Sequence, residues 1–126
     1  MLRKSCILHR FDNIDQTGFF TSGCISAKRG KTQAINKRLS IRLKESGITF
    51  CYVSLYSHLS IVHDSVTRVL HSHECAIRSI RNLLDAGIEA RVNFVPMKYN
   101  QKDIEKTIYY LNEIGVKEIR FLRLVR

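Results

Sequence analysis

The sequence predicts an α/β fold: a parallel sheet of about four strands joined by three crossover helices, forming a partial (β/α) barrel. Three observations lead there. A helical pattern stops at a glycine followed by Ile or Val three times, in "KESGITF", "LDAGIEA" and "NEIGVKE". Each stop leads into a run rich in β-branched and aromatic residues, as strands are. The chain has 126 residues, 44% of them hydrophobic, which is enough for one core and one domain spanning residues 1–126.

The elements follow in order. Residues 1–11 carry a short helical pattern. Residues 18–21 ("GFFT") make a short first strand. Ile35, Leu39 and Leu43 recur at helical spacing and lead into a strand over 48–56 ("ITFCYVSLY"). Ile77, Ile80, Leu83 and Leu84 form a second helical stripe, followed by a strand over 89–96. Ile104, Ile108, Leu111 and Ile114 form the third, with Asn100 as its predicted N-cap and Asp103 three residues on. A last strand covers 118–125. Glycine suits the left-handed position that closes a helix, and the apolar residue after it packs back on the final turn.

Strands separated by single helices run parallel, with right-handed crossovers, so their C-terminal ends share one rim. Ligands of α/β folds bind at that rim. This accounts for Ser54, Tyr56 and His58, polar residues that end an otherwise apolar strand. Four strands leave the barrel open, and an uncovered parallel edge predicts a missing N-terminal half or a partner subunit that completes it.

The net charge is +10, unevenly spread. Residues 1–44 hold ten Lys/Arg against two Asp, whereas residues 45–126 hold eleven against nine acidic residues. A basic N-terminal third suits an anionic partner, though a solvated helix face explains it as well. No run of 18 apolar residues occurs and the N-terminal segment lacks the pattern of a signal peptide, so a cytoplasmic protein without membrane contact is expected. Cys6, Cys24, Cys51 and Cys75 are far apart and read as buried or incidental thiols.

Several motifs fail on spacing. "SGCISAKRGKT" resembles a P-loop, but six residues separate Gly23 from Gly30 where a phosphate nest needs four. His58, His63, His71 and His73, with Asp64, Glu74 and Cys75, match no zinc signature, and their segment reads as a long rim loop of the kind that binds ligands. Arg91 and Asn93 share one strand face by period two, while Arg120 and Arg123 fall on opposite faces. Asn93, set within a strand, reads as an inward hydrogen-bonding residue.

"TSG", "VSLYSH", "VHDSVT", "RVNFVPMKYNQKDIE" and "IGVKEIRFLRLV", in that order and mostly at strand ends, resemble the later part of the radical S-adenosylmethionine superfamily. The likeness covers residues 15–126. It implies the third to sixth strands of a six-strand partial barrel that holds S-adenosylmethionine and a 4Fe–4S cluster at its rim. By that resemblance Thr21 contacts the methionyl part, and Ser54 reaches the ribose or the amino-acid end. Arg91 lies near the carboxylate with Asn93 beside it, and Val125 packs against adenine. Intact relatives generate a 5′-deoxyadenosyl radical for hydrogen abstraction.

The chain departs from the family in lacking CxxxCxxC, the first two strands and the glycine-rich loop that binds the cofactor's amino group; Arg68 also stands where the family has glycine. Cluster iron needs several soft thiolates at one place. The expectation is therefore a truncated or split family member, inactive alone, with no catalytic or metal-ligating residue of its own. The alternative is a non-catalytic module that grips RNA or an acidic protein through residues 28–44, with nucleic acid the less favoured partner.

Overall fold

The computed structural model describes residues 7–10, 16–26, 32–98 and 100–122. The chain runs β1 (Ile7–Arg10), β2 (Thr17–Thr21), β3 (Cys24–Ser26), β4 (Thr32–Ala34), α1 (Lys37–Glu45), β5 (Phe50–Ser54) and α2 (Ser60–Thr67). It continues through α3 (Ser72–Asp85), β6 (Glu89–Phe94), a single 3-10 turn (Gln101–Asp103), α4 (Ile104–Ile114) and β7 (Ile119–Phe121).

β2, β5, β6 and β7 pair in parallel and in chain order, as the fold class predicts. One apolar core joins Phe19, Val53 and Val92 of the sheet to Leu43 of α1, Ile80 and Leu83 of α3, and Leu111 of α4. The crossover helices therefore pack on one face of the sheet. Strands in sequential order with helices on one side are the plan of a (β/α) barrel left open, since a doubly wound sheet reverses its strand order.

All three predicted helix stops form, each with the same closing bond. The amides of Ile48, Ile88 and Val116 donate to the carbonyls of Leu43, Leu83 and Leu111 at 3.1, 2.9 and 3.0 Å. The intervening glycines, Gly47, Gly87 and Gly115, have φ of 98°, 86° and 108°. Ile48, Ile88 and Val116 are buried, so each stop also starts the next strand inside the core.

Four local readings change. Residues 7–10, expected in a short helix, form β1, which pairs antiparallel with β2 and covers that edge of the sheet. The segment compared with a P-loop contains the antiparallel pair β3–β4. Residues 60–67, read as part of a long loop, form α2, closed by Arg68 in the left-handed region at φ 61°. Asn100 caps no helix through its side chain. Instead its Oδ1 accepts from the Met97 amide at 2.7 Å and its Nδ2 donates to the Val95 carbonyl at 3.0 Å, bracing the loop after β6.

The sheet face away from these helices carries aromatic rings. Phe50 lies against Gly18, where an added Cβ would come within 2.5 Å of the ring. Phe20 stacks on Tyr52 with centroids 5.1 Å apart.

Candidate functional site

In a parallel sheet, residues paired across strands point to the same face. Ser54 pairs with Asn93, and Asn93 pairs with Arg120, at the C-terminal ends of β5, β6 and β7. The structure thus brings Ser54 and Asn93 together on the rim. Asn93 is only 7% exposed, and among the described residues its Oδ1 has no hydrogen-bond partner. An unpaired buried carbonyl is costly, so each one in a native protein calls for an explanation such as a water, an ion or a ligand; His73 Nε2 and Asp103 Oδ2 share this state among the described residues.

The other site residues take different places. Thr21 pairs with Val53, a core residue, and so points to the helix side; its Oγ1 accepts from the Gly23 amide at 3.1 Å. Arg91 shares the face of Ser54 and Asn93 but folds away from the rim. Its guanidinium lies 4.3 Å from the centroid of Phe50, and its Nε donates to Glu89 at the start of β6. Burial works against the charged guanidinium, but Glu89 and Tyr52 outweigh it and raise its pKa. Arg120 likewise leans over Tyr52, at 4.6 Å, and the Tyr52 hydroxyl donates to Glu118. Val125 and Arg123 lie outside the described residues.

Beside Ser54 the rim opens into a cavity of about 320 Å³, bordered by Ser22, Tyr56, His63, Thr67 and Ser72 together with Cys24 and Val69. None of these lining residues is an acid, a lysine or an arginine, unlike the strongly basic chain as a whole. The wall is built by α2 and the first turn of α3. Asp64 of α2 accepts from the His71 and His73 amides at 2.9 and 2.8 Å and from the Ser72 hydroxyl at 3.0 Å. It thereby satisfies amides that α3 cannot satisfy for itself. Burial would raise the Asp64 pKa, but those donors outweigh it and hold the carboxyl below its ordinary value.

His63, His73 and His58 each have a structural partner. His63 is 1% exposed, and its Nδ1 accepts from the Tyr56 amide at 3.1 Å. Burial, helped by His73 and opposed by Asp64, lowers its pKa to about 4, so the ring is neutral at pH 7. His73 packs against it with centroids 5.6 Å apart and is lowered as well, chiefly by burial. His58 meets Thr107 of α4 through its amide and its Nδ1, both at 3.1 Å. Among the described residues no three His, Cys, Asp or Glu side chains converge as metal ligands would.

The rim suits the uncharged part of a nucleoside, given an orphaned amide oxygen and nearby hydroxyls. The described thiols do not suit a 4Fe–4S cluster. Cys51 is sealed in the core, while Cys24 lies beside Cys75 and is pushed up to about 12 by burial and that neighbour, hence protonated. Cys6 lies outside the described residues. Of the basic patch, Arg38 and Arg42 are exposed on one side of α1, and residues 28–31 lie outside the described residues.

Among the described residues no helix is long and apolar enough to cross a membrane. No protein-family model and no curated protein matches this sequence.

Proposed function

We propose that this chain is the later part of a radical S-adenosylmethionine-type barrel, working in the cytoplasm and contributing one wall of the cofactor pocket through Ser54 and Asn93. The observation that carries the reading is the pairing of Ser54 with Asn93 at the C-terminal rim, with the buried Asn93 Oδ1 left without a partner among the described residues. A ribose hydroxyl or an ammonium group would supply the missing donor. The basic residue expected near the carboxylate, Arg91, is engaged by Glu89, so the carboxylate must be met by another group.

When both are bound, cofactor and cluster supply the radical chemistry of the family. This chain's own residues bind and orient the nucleoside and shield it from water. The cluster must come from a missing N-terminal half or a partner subunit, so the chain alone is inactive. In chain order the missing first two strands would lie beside β2, the edge that β1 covers here, whereas β7 at the far edge pairs with no further strand among the described residues.

Titration with S-adenosylhomocysteine tests the reading. Wild type should bind it weakly, and Asn93→Leu should weaken binding about tenfold, the loss expected for one buried hydrogen bond. Equal binding by both proteins, or none by wild type, would refute the assignment.

A further inference from the structure

The rim cavity has one wall that the Ser54–Asn93 pair does not explain. Its hydroxyls are mostly committed. Thr67 and Ser72 share a hydrogen bond of 2.6 Å, Ser72 also donates to Asp64, and Ser22 donates to the Cys24 carbonyl at 3.2 Å. His63 is different. It is almost wholly buried, yet it lines the cavity and uses only one ring nitrogen within the described residues.

The backbone amide of Tyr56 can only donate, so Nδ1 of His63 must be the acceptor. In a neutral imidazole the proton then resides on Nε2, and the tautomer is set by the backbone. The ring is further held between Tyr56, at 5.5 Å, and His73. The result is an uncharged donor of fixed direction on a residue that lines the cavity, whose described lining carries no formal charge.

We propose that His63 is a specificity-determining residue of the rim, whose Nε2–H donates to an uncharged oxygen of the ligand, namely a ribose hydroxyl. A neutral donor among hydroxyls favours an uncharged acceptor over phosphate or carboxylate, which would lack a counter-charge there. The inference rests on the nucleoside reading of the rim and adds the residue that distinguishes ribose from a charged group.

Two substitutions separate this role from a structural one. The amide oxygen of His63→Asn can replace Nδ1 and keep the bond to Tyr56, but the variant offers no donor where Nε2 lies. His63→Gln does the reverse. With adenosine and S-adenosylhomocysteine as probes, followed by nitrogen-15 spectra of ring-labelled histidine, the His63 Nε2–H signal of wild type should shift on binding. Affinity should fall about tenfold in His63→Asn and by less than threefold in His63→Gln, at the scale of one hydrogen bond. The opposite order, or an Nε2–H signal that adenosine leaves unmoved, would overturn the role of His63 while leaving the nucleoside site standing. If wild type binds neither probe, the nucleoside reading fails and this inference fails with it. Tighter binding of inorganic phosphate than of adenosine at His63 would also overturn it.

Discussion

The amide of Tyr56 donates to Nδ1 of His63 at 3.1 Å, tying the segment just after β5 to the middle of α2. The bond needs an unprotonated imidazole, and burial with His73 alongside lowers the His63 pKa from 6.5 to about 4. The unfolded chain therefore binds the proton more readily than the folded one. This contribution is complete above pH 6.5 and is lost as the pH falls toward 4. The full loss is about 3 kcal/mol for a shift of this size. His73, also lowered, adds to the same slope, whereas the lowered Asp64 acts only below its unfolded pKa of 3.8. Urea midpoints should drop between pH 6.5 and 4, and His63→Asn should flatten that drop; equal slopes in both proteins would count against it.

Asp64 holds the first turn of α3 through three accepted hydrogen bonds, although it belongs to the preceding helix. It does the work of an N-cap side chain, because His71 at the cap makes no side-chain capping bond. Asp64→Ala should cost about 2 kcal/mol, the upper end for a lost cap. Amide exchange at His71 and His73 should speed up selectively. Unchanged protection there would show that α3 is held by its packing alone.

Arg68 closes α2 in the left-handed region at φ 61°, where a side chain is strained and glycine is not. Arg68→Gly should raise stability by about 1 kcal/mol in thermal or chemical unfolding. A loss instead would mean that the Arg68 side chain contributes more than its backbone costs.

Gly47 and Gly23 both have positive φ, but their surroundings differ. A Cβ on Gly47 meets nothing within 4 Å, while one on Gly23 would lie 2.7 Å from the Cα of Ala76. Gly47→Ala should cost about 1 kcal/mol, the strain of the backbone alone. Gly23→Ala should cost more than about 2 kcal/mol, because β3 must move off α3. Melting curves that rank the two in the other order would contradict this.

Cys24 should be inert. With its pKa pushed up to about 12 by burial and by Cys75, very little thiolate exists at pH 8. Alkylation of the Cys24 peptide, followed by mass spectrometry, should run at least about tenfold slower in native than in unfolded protein. Equal rates would show the thiol to be more open than its surroundings imply.

Much of the fold was legible because its signals are local. The helix stops at Gly47, Gly87 and Gly115 combine left-handed backbone with an apolar residue, and both are visible in sequence. β1 was not legible, since four residues that pair antiparallel with β2 depend on a partner rather than on their own propensity. Nor was α2. "SIVHDSVT" is rich in β-branched residues and serine, and it is held as a helix by Asp64 and the Arg68 turn. At the site, the shared face of Ser54 and Asn93 follows from strand ends and period two. The orientation of Thr21 does not, because it depends on the register of β2 against β5. Arg91 has the right face, but its direction is set by Phe50 and Glu89, neither of which its own position in the strand reveals. His63 stood out only as one of several histidines; its meaning comes from the backbone amide opposite it.

The repeated closing bond, spanning five residues after α1, α3 and α4, means that each helix is terminated by instructions written within its own repeat. Such a chain can be cut or extended by whole strand-and-helix modules with little rewriting at the joints. Recombination at these boundaries leaves joints that still fold.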